Sequence, residues 1–222
     1  MDLPFLAKTP LFHGLTDQDL KELLHCVNAH ERQYHRDEII YHSGMAVDEI
    51  GLVETGSVNM VANFYWGTSS IFSHITRGMI FAENYAAIPG KELLYDIVAS
   101  EDSLILFLSM DKLLSICASG CPRHNQMIHN LIQISAMNNL TLSSRMMHTA
   151  PKTIRARLLS YLSELSMTNG PCFTIPFSRQ QLADYLGVDR SALSAEMSRM
   201  QKEGLITYHK NDICLSESGV LP

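Results

Sequence analysis

No stretch of this chain is long and apolar enough to cross a bilayer. Its longest unbroken apolar run is Leu104-Ile-Leu-Phe-Leu108, whereas a spanning helix needs about 20 such residues. The opening Met1-Asp-Leu-Pro-Phe-Leu6 has no basic segment ahead of an apolar one, so no signal peptide is expected. Cysteine is scarce: five residues, at positions 26, 117, 121, 172 and 214, odd in number and scattered. That usage predicts reduced thiols rather than a disulfide framework. These absences point to a cytoplasmic protein with no membrane partner. Phosphate-binding loops, nucleophile–base pairs and metal-hydrolase motifs are also lacking, so no enzyme activity is expected.

A broad basic surface is missing too, with a net charge of −6 over 222 residues. The distribution matters more than the total. Residues 1–148 hold 9 Lys/Arg against 16 Asp/Glu, a net of −7, whereas residues 149–222 hold 8 against 7, a net of +1. The acidic excess lies wholly in the first part. Hydrophobic content of 46% is enough to fill cores in one large domain or two smaller ones.

The most informative stretch runs from Phe177 to Met200. Ser178 followed by Gln181 three residues later is a capping box, which starts a helix. Leu182, Ala183 and Leu186 form its buried stripe, and Gly187 stands where a helix stop needs a left-handed residue. Asp189 is placed to cap a second helix, whose inward stripe is Leu193, Met197 and Met200. Two short helices joined in this way are the pattern of a DNA-binding helix-turn-helix. Residues left outward on the second helix are Arg190, Ser191, Ser194, Ala195 and Arg199. In such a motif the start of the second helix reaches base edges in the major groove. Arg190 has the side chain that grips guanine O6 and N7 in bidentate fashion. Ser178, Arg179 and Gln180 open the first helix and suit phosphate. Beyond Gly204 a strand, a turn at Asn211-Asp212 and a second strand read as the wing of a winged helix.

Upstream, Thr16 caps a short amphipathic helix reaching Val27. Between Tyr34 and Leu108 come short strands: residues 38–41, 49–53, 57–61, 70–75, 95–98 and 103–108. Gly44, Gly56, Gly67, Gly78 and Gly90 punctuate them, the pattern of an antiparallel sandwich or barrel. A helix is expected over 111–118, then a long one over about 123–148. Met127, Leu131, Ile134 and Met137 repeat along it every three or four residues, with Asn138 and Thr141 interrupting the seam. This predicts a parallel dimer helix whose polar interruption fixes register. Thr149-Ala-Pro151 then forms a hinge. A helix over 152–165 and a strand over 172–175 precede the helix pair.

At this point the chain resembles the Crp/Fnr family of bacterial transcription regulators over nearly its whole length. The resemblance rests on Pro10-Leu-Phe-His-Gly-Leu15, Glu54-Thr-Gly-Ser-Val58 and Gly78-Met-Ile-Phe-Ala-Glu83. It is most specific in Thr153–Leu162 and Phe177–Ser194. It implies an α+β chain: an antiparallel β-roll of jelly-roll type over 1–120, a dimerisation helix over 121–148 and a winged helix-turn-helix over 149–222. The implied partners are a second copy of the chain, double-stranded DNA with a two-fold symmetric site, and RNA polymerase if the protein activates. The resemblance places the effector pocket around Glu83, Asn84, Leu94, Tyr95, Leu142 and Ser143.

The chain also departs from its relatives. Members that bind cyclic AMP carry an Arg-Ser pair for the cyclic phosphate. Here Pro89–Asp96 has neither residue, and a phosphodiester would lose its strongest charge-assisted bonds. Iron–sulfur members need a cluster of early cysteines, and only Cys26 precedes residue 117. The haem member uses Cys and His after the roll glycine, where Ala82 and Asn84 stand. No cofactor is therefore identified, with haem and an iron–sulfur cluster disfavoured and the effector left open. Cys117, Cys121, His124 and His129 have residue types suited to zinc but no tight ligand spacing, so metal or redox sensing there stays open. A ligand-binding interaction protein with a vestigial DNA-binding domain is the alternative reading.

Overall fold

The computed structural model describes residues 1–115 and 121–216, so Cys117 lies outside the described residues. The chain divides into two compact units, Met1–Ala136 and Met137–Pro222. The division falls inside a helix, between the boundaries expected at 120/121 and 148/149. No helix among the described residues is long and apolar enough to cross a membrane.

The first unit opens with α1 (Leu3–Leu6), a 3-10 turn at Pro10–Phe12 and α2 (Asp17–Cys26). Thr16 caps α2 in a capping box with Asp19. Eight strands follow: β1 (His30–Tyr34), β2 (Ile39–Tyr41), β3 (Glu49–Thr55), β4 (Ser57–Asn63), β5 (Ser69–Thr76), β6 (Ile80–Phe81), β7 (Asp96–Ala99) and β8 (Ser103–Ser109). A one-turn helix α3 (Glu83–Ala86) sits between β6 and β7, and α4 (Met110–Leu114) follows β8. The strands form two four-stranded antiparallel sheets, ordered β1-β8-β3-β6 and β2-β7-β4-β5. This is the antiparallel roll that the strand spacing and Gly turns predict.

Strand alternation explains the cores. On β3 and β8, Ile50, Leu52, Leu106 and Leu108 face α1, α2 and the start of the long helix. Val53, Ile105 and Phe107 face the other sheet, with Val58 and Ile97. Both faces of these strands are buried, so β8 reads as a continuous apolar run rather than an alternating one. Each large side chain removed from water here contributes about 1.5–3 kcal/mol. Gly51 pairs with both Phe81 and Phe107. A Cβ at that position would fall 2.1 Å from the Phe81 ring, so the close approach of ring to backbone requires glycine.

Two strands escape sequence reading, β1 and β6. β1 has the sequence His-Glu-Arg-Gln-Tyr, and only Tyr34 of it is buried. Among the described residues it is an edge strand paired only to β8, so burial writes no alternation into it. β6 is two residues long.

The long helix α5 runs Pro122–Thr149. Its first half corrects the expected dimer seam. Met127 and Leu131 are buried in the core of their own unit, with Ile134 packed against it. Asn130 fixes that attachment by donating to the Leu11 and His13 carbonyls at 2.9 and 2.8 Å. Met137, Asn138 and Thr141 are exposed, and the Thr141 hydroxyl bonds back to the Met137 carbonyl. The exposed apolar residues of α5 are instead Ile132 (61%), Leu140 (62%) and Met147 (60%), with Met137, Leu142 and Met146 beside them. Ile132, Ala136, Leu140, Ser143 and Met147 share one stripe at steps of four, four, three and four residues.

The second unit continues with α6 (Ile154–Asn169), β9 (Cys172–Thr174), α7 (Arg179–Leu186), α8 (Arg190–Lys202), β10 (Ile206–His209) and β11 (Asp212–Leu215). Leu158, Leu162, Leu182, Ala183, Leu186, Leu193, Met197 and Met200 pack over Ile206 and Ile213 of a three-stranded sheet ordered β10-β11-β9. The expected reduced state fails at two of the five cysteines. Cys172 and Cys214 are joined in a disulfide. They lie 42 residues apart and meet only through the β9–β11 register, which spacing alone does not reveal.

Candidate nucleic-acid interface

The helix pair is set by local capping. Ser178 Oγ accepts from the Gln181 amide while Gln181 Oε1 accepts from the Ser178 amide. Gly187 is left-handed at φ 64 and ψ 46. Its amide and that of Val188 bond back to Asp184 and Ala183 carbonyls, closing α7. Asp189 Oδ1 accepts from the Ala192 amide at 2.9 Å, opening α8. The Ser191 hydroxyl also donates to Asp189 and, with the Ala192 amide, holds its carboxyl below the usual carboxylate range.

Arg190 lies exposed on the first turn of α8, and among the described residues its side chain makes no hydrogen bond or ion pair. Ser191 and Ala195 are exposed on the same helix, and Ser194 is half-buried. Arg199 is exposed but paired with Glu196 at 3.2 Å. Gln180 is exposed and donates to Asp184 at 2.8 Å. Arg179 is placed differently from an outward phosphate contact. Its guanidinium lies over the Tyr208 ring, donates to Met197 Sδ and reaches the Lys210 carbonyl at 3.4 Å. Burial there pulls its pKa down. Arg179 therefore joins α7 to α8 and to the wing, with Ser178 beside it capping the start of the helix.

The wing is β10 and β11, with His209 paired to Asp212. Its two-residue turn is Lys210-Asn211, one position earlier than the sequence predicts, and Lys210 takes a positive φ of 55. Lys210 thus sits at the exposed tip of the wing.

Three arginines that hold this frame escape sequence reading. Arg157 donates to the carbonyls of Leu186 and Gly187 at 2.9 and 3.1 Å, satisfying the end of α7. Arg155 on α6 pairs with Glu196 in the middle of α8 and with Glu203, its C-terminal cap. Arg145 reaches the carbonyls of Tyr185 and Asp184, both at 3.3 Å. Their partners lie 29 to 48 residues away, and no local spacing signals them.

The residues expected at an effector pocket divide between the units. Glu83 is buried at the start of α3, after Ala82 in a left-handed conformation. Asn84 donates to the Glu83 carboxylate at 3.3 Å. Tyr95 packs edge-on against Tyr85 and Phe72, and burial holds its phenol above the ordinary range. Leu94 is exposed. Leu142 and Ser143 belong to the second unit, on α5. Among the described residues no group of three or more His, Cys, Asp or Glu is arranged to hold a metal. Cys121 lies 3.7 Å from Arg123, and His124 is buried with Nδ1 unpartnered among the described residues.

This geometry agrees with comparison to known proteins. Residues 156–218 match a Crp-like helix-turn-helix domain, and residues 31–119 match a cyclic nucleotide-binding domain. The chain belongs to the Crp/Fnr family of transcription regulators. As a Crp/Fnr regulator it is 23% identical over 186 residues to the transcriptional activator protein FnrL of Cereibacter sphaeroides, covering 79% of this chain and 71% of FnrL. Its fold is similar to that of CprK in complex with OCPA, with a TM-score of 0.62 at 15% identity, covering 89% of this chain and 90% of CprK. It is also similar to the c-di-GMP responsive global regulator CLP of Xanthomonas campestris, with a TM-score of 0.54 at 16% identity, covering 90% and 99%.

Proposed function

We propose that this Crp/Fnr regulator is a homodimer that binds a two-fold symmetric DNA site under control of a small effector other than cyclic AMP. The observation that carries the DNA reading is Arg190, exposed and unpaired among the described residues, on the first turn of a well-capped α8. Two such helices in a dimer would enter successive major grooves about 34–36 Å apart. Lys210 at the wing tip and the α7 N-terminus supply phosphate contacts, which position the protein without reading sequence.

The dimer is supported by the α5 stripe of Ile132, Leu140 and Met147, which its own unit leaves exposed. Isolated surface apolar residues are ordinary, but a contiguous helical stripe marks an association face. Pro89–Asp96 carries no guanidinium for a cyclic phosphate, which disfavours cyclic AMP as the effector. The protein works where DNA is, in the cytoplasm, without catalysis of its own, and meets RNA polymerase if it activates.

Native mass spectrometry of the purified protein, followed by selection of duplexes from a randomised pool at low salt, tests this reading. The expected result is a dimer that recovers a palindromic site. A protein recovering no duplex above background would favour the alternative, an interaction protein with a vestigial DNA-binding domain.

A further inference from the structure

The solvent face of the wing sheet carries a chemistry that DNA reading does not need. Cross-strand pairing places Thr207, Cys214 and Cys172 in one row, and His209, Asp212 and Thr174 in the next. The opposite face, with Ile206 and Ile213, is buried in the core. The outer face forms an open cleft of about 480 Å³, within the size range of small-molecule clefts. Cys172 is exposed in it and Cys214 half-buried.

Register makes the pairing of these sulfurs intrinsic to the sheet. The Leu215 amide donates to the Pro171 carbonyl, and the Ile175 amide to the Asn211 carbonyl. Cys172 and Cys214 therefore form a non-hydrogen-bonded cross-strand pair, the arrangement with the closer approach. Their Cα atoms lie 4.0 Å apart. Whenever β9 and β11 pair, the two sulfurs meet.

We propose that Cys172 and Cys214 are a reversible thiol–disulfide site that takes a low-molecular-weight disulfide as oxidant, and that its closure holds the wing in the DNA-binding arrangement. The proposal rests on the DNA-binding reading above. DNA lies in a reducing compartment, where protein disulfides are transient or redox-sensing rather than structural. An exposed pair in an open cleft is accessible to exchange in both directions.

The chemistry balances without further reactants. The Cys172 thiolate attacks one sulfur of the small disulfide, forming a mixed disulfide and releasing one small thiolate. The Cys214 thiolate then attacks the Cys172 sulfur and releases the second. One S–S bond breaks and one forms. The protein loses two electrons and two protons, and the oxidant becomes two thiols.

The output follows from what the bond encloses. The loop from Cys172 to Cys214 contains α7, α8 and the wing turn. β9 is a three-residue edge strand leading through Pro176 and Phe177 into Ser178, the cap of α7. β11 leads back from the wing turn. Arg179 at the start of α7 reaches Tyr208 and the Lys210 carbonyl of the wing. With the bond open, the wing is held to the segment feeding α7 by the short β9–β11 ladder, the Thr174–Asp212 hydrogen bond and Arg179, and short edge ladders open at low free energy. With it closed, the wing tip and α7 share one cross-linked frame.

The test uses the full chain treated with dithiothreitol or with glutathione disulfide. Alkylation and peptide mass mapping count free thiols at Cys172 and Cys214. Fluorescence anisotropy measures binding to a duplex selected with the oxidised protein. The oxidised form is expected to protect both cysteines and to melt about 10 °C or more above the reduced form. Reduction is expected to weaken DNA binding roughly tenfold, as for a wing docked a tenth of the time. The C172S/C214S variant should bind like the reduced wild type under both treatments. Free thiols at both positions after oxidation, or equal DNA affinity in the two states, would overturn the proposal alone. Absence of DNA binding in both states would overturn the reading beneath it.

Discussion

His148 Nδ1 lies 2.8 Å from the Tyr185 hydroxyl, and on the other side His148 Nε2 lies 3.0 Å from Glu164. His148 is the penultimate residue of α5, Glu164 is on α6, and Tyr185 is on the first helix of the reading head. The imidazole is buried, with Tyr161 edge-on against it. One side chain thus ties the end of α5 to the helix that positions α8, all within the second unit.

Removing one side of that link leaves a buried ring nitrogen unsatisfied. Tyr185→Phe should destabilise the second unit by about 1–3 kcal/mol, the cost of stranding a buried polar atom. His148→Leu removes the bond to Tyr185 and the pairing with Glu164 together and should cost at least as much as Tyr185→Phe. Calorimetry of the two variants checks this. A Tyr185→Phe variant as stable as the wild type would show that the hydrogen bond does not hold the α5 end.

Glu54 gives a pH dependence with a definite sign. Its side chain is buried, Oε1 finds no partner among the described residues, and burial followed by the neighbouring Glu31 pushes its pKa up to about 7. Between its ordinary value and about 7 the folded state binds more protons than the unfolded chain. Stability of the first unit should therefore fall as pH rises across that window. Glu54→Gln should remove this component and stabilise the unit at pH 8 by about 2–3 kcal/mol. Thermal melts at pH 5.5 and pH 8 check it, and a wild type at least as stable at pH 8 would contradict the burial argument.

The two faces of α5 separate folding from association. Met127→Ala, at a fully buried site, should cost the first unit about 2–5 kcal/mol without dissociating a dimer. Leu140→Glu, at an exposed site, should leave helix content intact and shift the native mass toward monomer. A dimer unaffected by Leu140→Glu would move the association surface off this stripe.

Legibility in the sequence followed locality. Ser178 with Gln181, Gly187 and Asp189 act on backbone within a few residues, so the caps and ends of α7 and α8 could be read directly. The strands with core-facing alternation were readable for the same reason. On α5, an apolar repeat at helical spacing was visible, but periodicity does not say which partner covers it. Met127 and Leu131 are covered by their own unit, and Ile132 and Leu140 are not. The Cys172–Cys214 bond and the Arg157 clamp depend on tertiary register across tens of residues. Arg179 shows the same limit: its type suited phosphate, whereas packing against Tyr208 and Met197 set where it points.

Sequence reading by α8 rests on Arg190. The most direct test is the affinity of Arg190→Ala and wild type for a selected symmetric duplex and for variants with each base pair changed. Arg190→Ala is expected to lose roughly 1–3 kcal/mol per contact, to relax preference at one base position in each half-site, and to keep its helix content. Arg190→Ala binding with wild-type affinity and the same base preference at every position would contradict it.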